Sequence, residues 1–284
     1  MTNRLLPVRF LVVPQWQGTG SSRALQLRDG AEAIRDDLPA SKTTVVEVPL
    51  GAGEGLGSGI RRFTSVQFVR DRTLEVLAEH ALDGEGATVV AIGGDCGIEL
   101  ATIGSAYAAA DGDVAVVWFD AHPDLNTPES SPSGAFHGMV LRTLLGDGYP
   151  TLVPDRPVEP RHVVLAGVRA LDDAEADFVD DAGIRMISPS TLTPDTVVKA
   201  ITATGASRVY LHIDLDVLDP AEFGCLGFPE PFGVSAAMLI DTIRAIVKTF
   251  PLAGAGITEF APSSPEAAAD DLPTILRIIG ALTS

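Results

Sequence analysis

Residues 114–124 read VAVVWFDAHPD, and this stretch decides how the rest of the chain is understood. A short apolar run rich in β-branched residues stops at Asp120, the pattern of a strand that ends in a loop. Alternate positions of an extended chain share a side. Asp120, His122 and Asp124 therefore project together from the strand's carboxyl end, like the teeth of a comb. A second comb follows the apolar run 209–213, where Asp214 and Asp216 again share a face.

Working outward, similar runs occur at 10–13, 44–48, 88–92, 162–166, 185–187 and 253–257, each closed by Gly, Pro, Asp or Ser, which brings the expected strands to about eight. Segments with helical spacing lie between most of them, at 24–38, 66–81, 174–182, 193–204, 235–249 and 272–282. Such alternation predicts an α/β fold with a mainly parallel sheet. Right-handed crossovers cover both faces, giving a three-layer α/β/α sandwich whose ligands gather beyond the strands' carboxyl ends. A chain of 284 residues fits one such domain, spanning 1–284. The glycine-rich stretch 51–59, GAGEGLGSG, reads as a surface loop, since it lacks the GK[ST] ending of a phosphate loop. No G-x-G-x-x-G follows the first strand, which argues against a dinucleotide oxidoreductase.

Hydrophobic residues make up 46% of the chain and charged ones 20%, a globular composition. The formal charge of −18 provides no basic footprint for a phosphate backbone, so general nucleic-acid binding is excluded. That charge suits a cationic ligand, although a solvated acidic surface produces the same number. The opening MTNRLLPVRF has no long apolar leader core, no stretch is long enough to span a bilayer, and Cys96 and Cys225 make no disulfide framework. The expectation is a cytoplasmic protein without a membrane partner.

Four carboxylates and one imidazole exceed what a single Zn²⁺ takes, but they suit two hard or borderline ions bridged by carboxylates. The oxygen-rich set favours Mn²⁺, and a metal pair that ionises a shared water predicts hydrolysis. Aspartates after strands also cap helices and turns. What separates the readings is the pairing of the combs: so many carboxylates at buried strand ends are strongly disfavoured without cations.

Taken in order, Gly93-Gly94-Asp95-Cys96, Asp120-Ala121-His122-Pro123-Asp124, Ser133-Gly134-Ala135-Phe136-His137-Gly138, Asp214-Leu215-Asp216 and Glu259 resemble the arginase, agmatinase and ureohydrolase superfamily. The resemblance implies an arginase-like sandwich, a dimanganese centre and assembly into homo-oligomers, trimers or hexamers. It implies one metal on Cys96, Asp120, Asp124 and Asp214, and another on Asp120, His122, Asp214 and Asp216. By the same mapping Asp124 orients the metal-bridging hydroxide, His137 shuttles a proton, and Glu259 holds the guanidinium. Histidines outside these motifs, His80, His162 and His212, are read as structural.

Where the family usually has Gly-Gly-Asp-His, this chain has Gly-Gly-Asp-Cys. A thiolate at Cys96 shifts preference from Mn²⁺ toward Zn²⁺, Fe²⁺ or Co²⁺, and an unbound thiol leaves that metal short of a ligand. Cysteine here also resembles the arginase-like hydrolases acting on Nω-hydroxy-L-arginine. The segment 126–137 resembles the arginase branch, in which Asn126 and Ser133 receive a substrate α-carboxylate and Asp172 reads the α-amino group. Ala135 replaces a further carboxylate-reading asparagine, and 223–231 departs from the threonine-rich loop of that branch.

The expected activity is hydrolysis of a guanidino amino acid such as L-arginine: a metal-bridging hydroxide attacks the guanidino carbon and releases urea and an amine. Three alternatives stay open. They are an Nω-hydroxy-L-arginine hydrolase releasing hydroxyurea, an agmatinase or formiminoglutamate hydrolase, and an inactive homologue acting as a binding subunit.

Overall fold

The computed structural model describes residues 7–82 and 86–283; the opening residues 1–6, read above against a leader segment, lie outside these. Eight strands build one sheet: β1 (Val8–Val13), β2 (Thr43–Val45), β3 (Thr88–Gly93), β4 (Val114–Phe119), β5 (Val163–Ala166), β6 (Arg185–Ile187), β7 (Arg208–Asp214) and β8 (Leu252–Thr258). Their order is β2-β1-β3-β8-β7-β4-β5-β6, and every pairing is parallel. The helices are α1 (Leu25–Asp36), α2 (Phe63–Leu82), α3 (Glu99–Ala109), α4 (Val140–Leu144), α5 (Asp173–Ala182), α6 (Pro194–Thr202), α7 (Ala236–Thr249) and α8 (Pro265–Leu282).

The strands' two-residue period sends side chains to two cores. Val12, Ile92, Val117, Phe119, Leu211, Ile213 and Ile257 face one layer, where they meet Ile34 of α1, Val197 and Ile201 of α6, Ile243 of α7 and Ile275 of α8. On the other face Val116, Trp118, Leu165 and Tyr210 meet Leu100 and Ile103 of α3, Leu141 of α4 and Val179 of α5, while Leu11, Val13 and Ala91 pack on Val69 and Val76 of α2. This is the three-layer α/β/α arrangement. No helix among the described residues is long and apolar enough to cross a membrane.

Three helical segments differ from the sequence reading, each for a physical reason. Helix α3 lacks a polar stripe because Glu99 through Gly104 are all buried between the sheet and its neighbours, so it shows no amphipathic period. Helix α4 is only five residues long. Helix α8 starts at Pro265 rather than near 272: Ser264 caps it by accepting from the Ala267 amide, and Pro265 fits the first turn. It runs on through Pro273 because Ala268 on one side of that residue and Ile275, Ile278 and Ile279 on the other are all buried in the core. That packing outweighs the backbone hydrogen bond a proline removes.

One close approach in β8 matters for the site. A Cβ added at Gly256 lands 1.7 Å from Glu99 Oε1, so only glycine leaves room for that buried carboxylate against the sheet. At Gly280, exposed in α8, a Cβ meets nothing within 4 Å. The two Gly→Ala exchanges therefore have opposite signs. In urea denaturation Gly256→Ala is expected to lose about 1–3 kcal/mol, and Gly280→Ala to gain about 0.5–1 kcal/mol.

Candidate metal centre and substrate cavity

Four adjacent strands, in the order β3-β8-β7-β4, release their chains at the same end of the sheet. From β3 comes the turn carrying Cys96, from β8 Glu259, from β7 Asp214 and Asp216, and from β4 Asp120 and His122. The β3 exit is fixed by a close approach: a Cβ at Gly94 would sit 1.6 Å from the Gln15 carbonyl, which accepts the Asp95 amide at 2.9 Å. Asp95 then accepts from Gln15 Nε2 (2.7 Å) and from the amides of Gly18 (2.8 Å) and Gly97 (2.9 Å), which turns Cys96 inward. Burial, with Glu259 nearby, pushes the Asp95 carboxyl up to about 6.

Two groups of metal-ligating atoms result, each with all its atoms within 4.8 Å of one another. One consists of Cys96, Asp120, His212 and Asp214, and the other of Asp120, His122 and Asp216. Asp120 belongs to both. In the first, Cys96 Sγ lies 3.1 Å from Asp214 Oδ2 and 3.8 Å from His212 Nε2. In the second, His122 Nδ1 lies 3.0 Å from Asp216 Oδ2 and 3.5 Å from Asp120 Oδ1. Backbone amides hold the combs in register: Asp120 Oδ1 accepts from the His122 amide, Asp214 Oδ1 from the Asp216 amide (2.7 Å), and Asp216 Oδ1 from the Ala121 amide across strands (3.0 Å).

Asp124 stays outside both groups, whereas the family mapping places it on the first metal. Its backbone is left-handed (φ 52°), and its buried Oδ2 has no partner. Glu259 shares both traits, with φ 64° and an unpartnered buried Oε2, while its Oε1 accepts from the Cys96 amide (3.3 Å) and lies 3.4 Å from His137 Nδ1. Strained backbones that each aim an unsatisfied carboxylate oxygen into buried space mark a site shaped for a cation.

The electrostatics agree. Burial raises Asp124 and Asp214 well above the carboxylate range, reinforced by neighbouring carboxylates, and pushes Asp216 up to about 6. Asp120 is held low despite burial because His122 and His212 donate to it. His122, although burial pulls it down, is lifted to about 12 by Asp120 and Asp216. Without cations the cluster satisfies itself only with protons and imidazolium charge. Three aspartates, two imidazoles and a thiol suit two divalent ions, and the residues present fit such a pair.

Above the cluster opens a cavity of about 370 Å³ whose lining includes His122, Asp124, Asp214, Asp216 and His137. Asn126, Ser133 and Asp172 line it too. Asn126 Nδ2 donates to Asp172 Oδ2 at 2.8 Å, and Asp172 Oδ1 caps α5 by accepting the Glu175 amide at 3.0 Å. His137 packs on Phe228, with ring centroids 5.0 Å apart. Phe228 and Glu230 complete one wall, held by Arg169, whose guanidinium donates to the carbonyls of Glu230 and Asp216, both at 2.8 Å.

Of the three histidines read as structural, His212 is the one whose ring lies at the site. His80 and His162 do sit away from the site, on Thr44 and Tyr107, but His212 Nε2 points into the first donor group. His212 and Asp214 share the two-residue period of β7. Arg169, Glu99 and the Phe228–Glu230 wall carried no motif of their own.

The comparisons with known proteins agree with this geometry. The model of the Arginase family matches residues 19–272. An arginase of Bacillus caldovelox is 33% identical over 203 residues, 66% of this chain and 67% of that one. An N(omega)-hydroxy-L-arginine amidinohydrolase of Streptomyces lavendulae is 31% identical over 209 residues, 71% of each. The crystal structure of Entamoeba histolytica arginase in complex with L-ornithine superposes with a TM-score of 0.86 at 25% identity, covering 98% of this chain and 99% of that one. With its strand order, its two donor groups sharing Asp120 and a match over most of its length, the chain belongs to the arginase family, the metal-dependent hydrolases of guanidino compounds and related amidines.

Proposed function

We propose that this protein hydrolyses a guanidino amino acid, L-arginine or a close derivative, releasing urea or a substituted urea and an amine. The observation that carries the reading is the placement of two donor groups sharing Asp120 at the floor of a cavity whose outer lining, Asn126, Ser133 and Asp172, offers partners for an α-amino acid. Cys96, Asp120, His122, Asp214 and Asp216 hold two divalent ions. When bound, these ions supply a hydroxide nucleophile at neutral pH and neutralise charge that develops on oxygen. Mn²⁺ suits the Asp120, His122 and Asp216 group, and the thiol of Cys96 draws the other toward Zn²⁺, Fe²⁺ or Co²⁺.

The residues then divide the work. Glu259 Oε2, buried and unpaired, accepts from the guanidinium and orients its carbon toward the metal floor. Asp124 Oδ2, equally unpaired, accepts a hydrogen bond from the nucleophile and aims it. His137, against Glu259 and Phe228 at the cavity wall, passes a proton to the leaving amine. Asp172 pairs with the α-ammonium, while Asn126 and Ser133 face the α-carboxylate. The reading carries with it one domain over residues 1–284, a cytoplasmic enzyme and a homo-oligomer, trimer or hexamer, which sedimentation of the purified chain checks.

A second reading, Nω-hydroxy-L-arginine as the preferred substrate and hydroxyurea as product, is favoured by Cys96 in the donor group and by the Streptomyces lavendulae relative. Parallel turnover of metal-reconstituted protein on L-arginine, Nω-hydroxy-L-arginine, agmatine and formiminoglutamate decides between them. One of the two amino acids is expected to exceed agmatine by about 10²-fold or more in kcat/KM, because agmatine lacks the α-carboxylate that Asn126 and Ser133 face. A preference for agmatine or formiminoglutamate contradicts the proposal.

Two variants test the assigned roles. His137→Ala is expected to lower kcat by about 10²–10⁴-fold while metal analysis shows unchanged content. Asp172→Asn keeps the oxygen that caps α5 but removes the charge. It should raise KM for the amino-acid substrate about tenfold, the loss of roughly 1.4 kcal/mol.

A further inference from the structure

A buried polar column runs up the helix-α3 side of β7, below the metal floor. Tyr210, His212 and Asp214 share that face, and His212 pairs in register with Trp118 on one neighbouring strand and Gly256 on the other. Its ring stacks on Trp118 with centroids 3.6 Å apart and planes 24° from parallel. Its Nδ1 lies 3.0 Å from Glu99 Oε1. Glu99 in turn accepts from Tyr210 Oη (2.6 Å) and Thr102 Oγ1 (2.5 Å) at Oε2, and it occupies the space that Gly256 leaves open. His212 and Glu99 are both fully buried.

This arrangement fixes the imidazole in orientation. A carboxylate holds a proton at Nδ1, and Nε2 points toward Cys96 Sγ at 3.8 Å and Asp120 Oδ2 at 3.7 Å. With Glu99 at one nitrogen and Asp120 near the other in a fully buried site, either a second ring proton or a cation must lie at Nε2. Ligand atoms about one tetrahedral cation are about 3.5 Å apart for ordinary metal–N, metal–O and metal–S bond lengths. The distances of 3.1, 3.7 and 3.8 Å among Sγ, Asp214 Oδ2, Asp120 Oδ2 and Nε2 bracket that spacing. A carboxylate behind a histidine whose other nitrogen faces a group of donors is the usual outer support of a metal-bound imidazole.

We propose that His212 ligates the ion of the Cys96 group through Nε2, and that Glu99 is the positioning residue that holds it there. The inference rests on the two-metal reading given above and deepens it. The centre is then asymmetric. One ion sits in a set of thiolate, imidazole and two carboxylates, a soft to borderline environment that takes Zn²⁺ or Co²⁺, and the other in the harder group of Asp120, His122 and Asp216. The competing account makes His212 an imidazolium, ion-paired between Glu99 and Asp120, that serves stability alone.

The test uses the wild-type protein, which avoids any question of folding. It is loaded with cadmium after growth on isotope-labelled histidine. Couplings between cadmium and imidazole nitrogen are expected for two histidines, His122 and His212. Coupling to His122 alone, with both ions bound, overturns the assignment while leaving the two-metal reading intact. Failure to bind any cadmium, zinc, cobalt or manganese overturns both. Glu99→Gln supplies a second readout: the neutral amide removes the carboxylate charge that supports a metal-bound imidazole through Nδ1. The affinity for the ion of the Cys96 group should then fall by about 10–100-fold, with the His122 couplings retained. Unchanged affinity for both ions, with only a lower Tm, supports the ion-pair account and contradicts the proposal.

Discussion

Asp120, Asp124, Asp214 and Asp216 converge with Glu259 in a space from which water is almost entirely excluded, and the protein supplies too few donors to satisfy them. Ionised carboxylates cost several kcal/mol each to bury even after the protein relaxes, and their mutual repulsion adds to that. Cations offset both terms, and the rest of the molecule is arranged around this need. A parallel sheet points every carboxyl end the same way, so four neighbouring strands deliver acidic residues to one place without long loops.

What keeps that arrangement from collapsing is a set of supports that touch no substrate. Asp95 anchors the turn before Cys96, Glu99 and Trp118 clamp His212 from two sides, and Trp118 Nε1 donates to Asp120 Oδ2 at 3.0 Å. Arg169 ties the backbone of the β7 comb to the Phe228–Glu230 wall, coupling the metal floor to the cavity above. The left-handed backbones of Asp124 and Glu259 are held by the Arg142 amide on the Asp124 carbonyl (3.1 Å) and by the Glu259 amide on the Gly94 carbonyl (2.8 Å), and each aims one carboxylate oxygen into buried space.

Much of this was legible in the residues. Asp120, His122, Asp214 and Asp216 stand out as donors in the two strand-end motifs, although the extended period expected there stops at the strand ends: Asp216 lies in the 3-10 turn Leu215–Val217, and Asp124 has a left-handed backbone outside both donor groups. Strand–helix alternation led to the layered parallel sheet. Local reasoning reached less far where tertiary packing decides. Helix α3 showed no period because no face of it meets water, and α8 runs through Pro273 because the core holds both halves. His212 lies one step back along β7 from Asp214, and the Glu99 side chain that holds its ring is 113 positions away in sequence, which no local pattern reveals. The positive φ of Asp124 and Glu259 left no trace in sequence, since neither residue type announces it as glycine does.

The central claim is that these strand ends were shaped to hold two ions. Its most direct test is an anomalous-scattering diffraction measurement on crystals of the protein grown with Mn²⁺ and Zn²⁺. The account predicts two peaks flanking Asp120, one against Cys96 and Asp214 and the other against His122 and Asp216. A map with no peak at these carboxylates, at metal concentrations that saturate other arginase-family enzymes, would contradict it.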